Sequence, residues 1–182
     1  MTLPLTLFPA LSRPDLLAPP VAAALRALPW ADQVRVAAID PALSDTTQFC
    51  EAYGITLEES VNCVVIAAKR GGDVTYAACM VAATTRANVN GLVRQHLGAR
   101  KASFGSVDLV TSLTGMEYGG ITPVGLPADW RVLVDDVVAK VPSVVIGAGI
   151  RGAKLWLPGS LLAELPGGEI LPGLGVEAGP VG

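Results

Sequence analysis

An α+β fold, a mixed sheet with helices packed around it, is what this chain predicts, and three observations carry the expectation. Apolar residues make up 51% of the 182 positions, enough to fill a sizeable core. Two near-continuous apolar runs, 61–68 and 74–81, flank Lys69-Arg70-Gly71-Gly72-Asp73 in the pattern of a β-hairpin, and such strands are expected to be covered on both faces. Strand and helix signals interleave without the regular alternation and long crossovers of a doubly wound parallel sheet.

The elements follow in order. Ser12-Arg13-Pro14-Asp15 reads as a helix start, and Pro19-Pro20 is expected to interrupt that helix before residues 21–28 resume it. Residues 33–39 alternate around Val34 and Val36 as a strand does, and Asp40-Pro41 turns the chain. Asp45 is placed to cap a helix running to Tyr53, with Gly54 as its left-handed stop. Beyond the hairpin, Asn88 caps a predicted helix over 89–97 that Gly98 ends, and Ser106 caps another over 107–113 that Gly115 ends. Strands are predicted at 131–134 and 141–146, then the Gly147-Ala148-Gly149 turn, the alternating strand 153–157 and a short helix over 161–165. Residues 166–182, rich in Pro and Gly, are expected to form a loosely attached tail. The chain thus divides into an N-terminal helix-strand-helix part (1–60) of the same domain, a core (61–165) and the tail.

Several classes are disfavoured. The best candidate for a membrane span, 132–150, is broken by Asp135, Asp136, Lys140 and Pro142, and the N-terminus lacks the basic and apolar blocks of a secretory signal, so a cytoplasmic protein is expected. Cys50, Cys63 and Cys79 are odd in number and lack CxxC spacing, which points to buried free thiols; no metal and no cofactor are expected. His96, the single histidine, falls late in a helix, where the terminus itself accounts for it, and no G-x-S-x-G is present. Trp30, Trp130 and Trp156 read as packing against the sheet, with a base-stacking surface as the alternative.

The net charge of −3 conceals an asymmetry. Residues 1–60 hold seven acids against three arginines, whereas 86–101 carry Arg86, Arg94, Arg100 and Lys101 with no acid. Such a run either steers phosphate or forms a solvated helix face.

The most informative stretch is Thr114-Gly115-Met116-Glu117-Tyr118-Gly119-Gly120-Ile121-Thr122-Pro123-Val124-Gly125. Its glycines remove the Cβ atoms that would keep a ligand from main-chain N–H groups, and its proline fixes the path. The pattern T-G-x-x-x-G-G-I-[ST]-P-x-G resembles the hallmark of the YbaK family, aminoacyl-tRNA deacylases related to the editing domain of bacterial prolyl-tRNA synthetase. Leu97-Gly98-Ala99-Arg100-Lys101 is similar to the family's A-L-G-A-K-K, and Val134-Asp135 and Ile146-Gly147-Ala148-Gly149 fall in the family's order, so the resemblance runs from about 61 to 165.

That resemblance implies a largely antiparallel sheet and a small pocket for the amino-acid moiety of an aminoacyl-tRNA, walled by Gly115, Gly119, Gly120, Thr122, Pro123, Gly125, Gly147 and Gly149. Discrimination by volume, in a cavity lined by Gly and Ala, is the expected sieve. Family members open the first hairpin strand with a lysine; here the stretch is Glu59-Ser60-Val61-Asn62-Cys63-Val64, so Val61 or Asn62 replaces it. Asn62 is the candidate substrate-orienting residue, with a satisfied polar strand end as the alternative; Asp135 either orders the pocket or caps a turn. Phosphate contacts are assigned to Arg86, Arg94, Arg100 and Lys101. The implied function is trans-acting removal of a mischarged small amino acid from tRNA, with a synthetase as a further partner and a homodimer compatible with the sequence. The alternatives are a catalytically silent aminoacyl-tRNA or nucleotide binding protein and a hydrolase of small esters.

Overall fold

The computed structural model describes residues 1–178, in which two sheets share one core. With strands numbered along the chain, the first sheet contains β1 (Phe8–Pro9), β2 (Arg35–Ala38), β8 (Val144–Gly147) and β9 (Ala153–Leu157), in the order β1-β2-β9-β8 and antiparallel throughout. The second holds β3 (Val61–Arg70), β4 (Asp73–Ala82), β6 (Lys101–Phe104), β7 (Arg131–Val134) and β10 (Gly168–Ile170), in the order β10-β7-β4-β3-β6. Its β3 pairings are antiparallel, and β7 lies parallel to both β4 and β10. A small ribbon pairs β5 (Thr85–Ala87) with β11 (Gly175–Glu177). The fold is therefore mixed α+β and mostly antiparallel.

The hairpin ladder runs from Val61 opposite Ala82 to Arg70 opposite Asp73, so the turn shrinks to Gly71-Gly72, with Gly71 at φ +62°. At the other end of β3 the two sheets join. Ser60 bridges Val145 in parallel, the Val145 N–H donates to the Glu59 carbonyl at 2.8 Å, and the Ala83 N–H donates to the Ser60 carbonyl at 2.8 Å. Val61, Met80 and Val134 of one sheet then share a core with Val36, Ile146 and Leu155 of the other.

Local signals explain most helices. In α2 (Thr46–Tyr53) the Asp45 carboxylate accepts the Thr47 N–H at 3.1 Å and Gly54 closes the helix at φ +70°. In α4 (Val107–Thr114) Ser106 Oγ accepts the Leu109 N–H at 3.3 Å and Gly115 closes at φ +67°. The helix expected over 89–97 is instead a π-helical turn, Val89–Val93, running into the short α3 (Arg94–His96) before Gly98; Asn88 still caps it, through the Gly91 N–H.

Three further expectations are corrected. Pro19-Pro20 opens α1 (Pro19–Ala27) instead of interrupting a helix, because its first positions need no N–H donor; the earlier segment is two 3₁₀ turns, Ala10–Ser12 and Pro14–Leu16. The strand expected from 141 begins only at Val144, after the short α5 (Asp136–Ala139). The looseness expected of 166–182 is absent from its described part: β10 and β11 are paired, and Leu171 and Leu174 are buried beside Ile66 and Leu133. Residues 179–182 lie outside the described residues. His96 serves this attachment, since its Nε2 lies 3.0 Å from Glu169 Oε1 on β10, which Arg131 of β7 also engages.

All three tryptophans are buried, and Trp130 stacks on Tyr76 at 4.9 Å between ring centroids. The cysteines are free; burial pushes the Cys79 thiol up to about 12 and raises Cys50 and Cys63 as well. Thiolate chemistry is thereby suppressed.

Candidate functional site

The two glycine turns are in direct contact. The Gly149 N–H donates to the Gly120 carbonyl at 2.7 Å, and the Glu117 N–H donates to the Gly149 carbonyl at 2.9 Å. A Cβ on Gly147 would fall 2.5 Å from the Gly120 carbonyl oxygen, and one on Gly120 would fall 2.6 Å from that of Ile150. Glycine at these positions lets backbone pack on backbone.

A cavity of about 370 Å³ opens in front of this contact, where the sheets join. Its wall is built from residues 44–46, the start of β3 at 61–64, Tyr118, Gly119 and Ile121 of the glycine-rich segment, Gly147 at the end of β8, and Arg151 and Lys154. Thr46 Oγ1 donates to Asn62 Oδ1 at 2.9 Å, which leaves the Asn62 NH₂ as the group offered to a ligand. Gly119, at φ +84°, also lines it, and the Arg151 guanidinium lies over its main chain, where a Cβ would fall 2.7 Å from Arg151 Nη1.

Two cations project here. Arg151 is committed to the rim: its N–H donates to Glu117 Oε2 at 2.8 Å, and its guanidinium donates to the carbonyls of Tyr118 at 3.2 Å and Pro41 at 3.4 Å. Lys154 stands opposite Gly147 in the β8–β9 register. Its Nζ lies 5.3 Å from the centroid of the Phe49 ring and donates one long bond, 3.4 Å, to the Ser44 carbonyl. Burial is the main influence on its pKa, which is lowered; Cys50 and Asp45 push the other way. Beside it, Ser44 Oγ is buried with no partner among the described residues, and Asp45 is the one carboxylate in the wall.

Among the residues nominated from sequence, Asn62, Gly119 and Gly147 line the cavity. The others stand elsewhere. Gly120 lies behind the wall, its N–H donating to the Glu117 carbonyl at 3.0 Å and its carbonyl accepting the Gly149 N–H. Gly125 and Gly149 pack on the start of α1, where an added Cβ would meet the Pro20 carbonyl oxygen at 2.5 Å and the Ala18 Cβ at 2.4 Å. Gly115 is the stop of α4, and Thr122 and Pro123 are buried. Asp135 lies outside the cavity wall, at the end of β7 against Gly175; it is 2% exposed, and burial raises its carboxyl pKa. The wall is also more polar than a Gly and Ala sieve.

Of the basic residues, Arg86 borders a second hollow with Phe104, and the Arg94 Nε donates to the Asn90 carbonyl at 2.9 Å. Arg100 and Lys101 are exposed at the opposite end of β3, where Lys101 pairs with Lys69, about 23 Å from Asn62 along the strand. A shallow apolar trough links these regions. It shares Cys63, Val64, Tyr118 and Ile121 with the cavity and ends at Phe104, which is 70% exposed and also borders the Arg86 hollow.

Sequence reasoning missed Ser44, Thr46, Tyr118, Arg151 and Lys154. The available signal for Lys154 was a lysine inside a strand whose neighbours are all apolar, a place where a charge is seldom left without a reason. Among the described residues no group of three His, Cys, Asp or Glu side chains could hold a metal ion.

The family model of the aminoacyl-tRNA editing domain matches residues 40–165, with the whole cavity wall inside it. The chain belongs to this family, the YbaK/ProX family. Among solved structures, a candidate trans-editing enzyme for prolyl tRNA synthetase superposes with a TM-score of 0.73 at 20% identity, covering 89% of this chain and 97% of the other. The hypothetical protein APE2540 gives 0.69 at 20% identity, covering 79% and 91%. A scaffold designed to present linear epitopes gives 0.73 at 19% identity, covering 89% and 97%. At these identities the likeness establishes the editing-domain fold.

Proposed function

We propose that this protein hydrolyses the ester of a mischarged aminoacyl-tRNA, releasing a small amino acid in trans. The observation that carries the reading is the cavity opening where the two glycine turns meet, lined by Asn62, with its NH₂ free of Thr46, and by Gly119 and Gly147. An aminoacyl ester is already activated, so a site that orients it and admits one water supplies most of what the reaction needs. At about 370 Å³ the cavity has room for the aminoacyl group together with the ribose that bears it.

The neighbouring trough is suited to the terminal base, between Tyr118 and the exposed Phe104, because an aromatic face stacks on any base. Arg86 lies beyond Phe104, and Arg94, Arg100 and Lys101 extend the basic surface toward the tRNA backbone. The cytoplasm, where aminoacyl-tRNA is abundant, is the proposed compartment, and a synthetase is a fitting partner to supply tRNA selection.

The test is a panel of tRNAs charged with glycine, alanine, serine, cysteine or proline, incubated with purified protein and with Asn62→Ala. At least one should be deacylated, and Asn62→Ala should slow it by about 10-fold, the worth of one charged-site hydrogen bond. Binding without release across the panel would turn the reading toward a silent tRNA-binding protein, and turnover unchanged by Asn62→Ala would remove that residue from the chemistry.

A further inference from the structure

Lys154 is a feature of the cavity wall that the fold itself does not explain. Its chain neighbours on β9 are buried apolar residues, and the cross-strand positions flanking it are Gly147 and Ala37, which give it no polar support. No carboxylate lies within salt-bridge distance of it among the described residues, and its bond to Ser44 is long. The groups facing it from packed elements are Asp45 and Cys50 from the α2 region and Arg151 from the following turn. A half-buried ammonium so poorly paired costs stability, whereas an apolar side chain of the same length would not. The Arg151 guanidinium, by contrast, donates to two rim carbonyls, those of Tyr118 and Pro41.

The surrounding polarity points the same way. Lining the open space are the Asn62 NH₂ and the Lys154 ammonium, two groups able to donate to an acceptor, while the unpartnered Ser44 hydroxyl is buried in the wall. Asp45 Oδ1 is drawn off by the Thr47 N–H.

We propose that Lys154 is a catalytic residue of this pocket, whose ammonium contacts the carbonyl oxygen of the bound acyl ester and stabilises the negative charge that develops there. This rests on reading the cavity as the acyl site. Water oxygen forms the new bond to the carbonyl carbon, and the carbonyl π pair becomes the oxyanion held against Lys154. On collapse the carbon–oxygen bond to the ribose breaks, and the proton lost by water ends on the ribose oxygen. Preorganised charge at the oxyanion acts in the transition state more than in the ground state, so kcat is the parameter affected.

The experiment compares wild type with Lys154→Met and Lys154→Arg on the aminoacyl-tRNA of the panel that wild type deacylates fastest. Lys154→Met should lower kcat by about 100-fold with KM within about threefold, and Lys154→Arg should recover most of it. After subtraction of uncatalysed hydrolysis, the wild-type rate should fall on the alkaline side as the ammonium deprotonates, below the pH range of an exposed lysine, and that fall should vanish in Lys154→Arg. A purely structural lysine predicts otherwise: Lys154→Met would then lower the melting temperature, whereas the proposal expects it unchanged or raised. A parallel titration with alanine joined by a stable amide to 3′-amino-3′-deoxyadenosine separates the two readings. Amide binding by Lys154→Met within about threefold of wild type, beside the fall in kcat, supports the lysine's transition-state role, and wild-type binding of the amide with no tRNA deacylated overturns it. Normal deacylation by Lys154→Met overturns the lysine while leaving the deacylase standing, and a wild type that neither deacylates nor binds the amide overturns both.

Discussion

Asp135 places a carboxylate almost out of reach of water, with Oδ1 unpartnered among the described residues and the Gly175 main chain against Oδ2. Burial raises its folded pKa above the ordinary aspartate value, opposed by a hydrogen bond from the Gly175 main chain. The sign of the consequence follows from linkage. Between the unfolded and folded pKa values the native state binds more protons, so stability is greatest below the unfolded value and is lost as pH rises through the folded one. Asp135→Asn should therefore flatten the pH dependence of stability on the acid side of neutrality and stabilise the protein at pH 7 by an amount on the order of 1 kcal/mol, measured by urea unfolding across pH. A fall in deacylation with no change in stability would instead return Asp135 to the chemistry. Its sequence position, after an apolar strand, could not separate these roles, because the decisive neighbour is Gly175, 40 positions further along the chain.

Among the elements, the C-terminal strands carry more of the fold than their composition suggested. Leu174 is fully buried against the face of the second sheet, and its carbonyl accepts the Asn88 N–H at 2.9 Å, tying β11 to the start of the π-helical turn. Leu174→Ala should cost about 2–5 kcal/mol in denaturant unfolding, the range for an emptied core site; a cost under 0.5 kcal/mol would mean the strand frays in solution. Legibility divided along the same line. The caps at Asp45 and Ser106 and the stops at Gly54 and Gly115 were readable because cap chemistry acts within four residues. The segment Asp136–Ala139 was not, since Val137 and Val138 carry little helix propensity and the turn is fixed by packing. Pairing of 166–177 was equally hidden, because Pro and Gly at short intervals look alike in a tail and in a chain of tight turns.

On the scale of the whole molecule, β3 spans the proposed reaction, with the cavity at its start and Lys69, Arg70, Arg100 and Lys101 around its far end. An acidic protein can thus present a local phosphate surface remote from its proposed acyl pocket. Replacing Arg100 and Lys101 together by alanine should raise KM for aminoacyl-tRNA and reduce the log–log salt slope of binding by about 1 to 2, as expected for one or two lost phosphate contacts. An unchanged slope would assign that edge to solvent and leave Arg86 as the contact to pursue.

What the sequence determined by itself was local and ordered: the hairpin, two capped helices, the family resemblance, and Asn62, Gly119 and Gly147 as residues that line the cavity. The tertiary structure decided which of the nominated residues meet. Gly125 and Gly149 turned out to seat α1, Asp135 went to a different neighbourhood, and Lys154 of β9, which the sequence reading had passed over, entered the pocket wall. The physical reason is that caps and turns are decided by contacts a few residues apart, whereas a cavity is a shared gap whose walls are set by strand register and backbone-on-backbone packing across more than 100 positions, from Ser44 to Lys154.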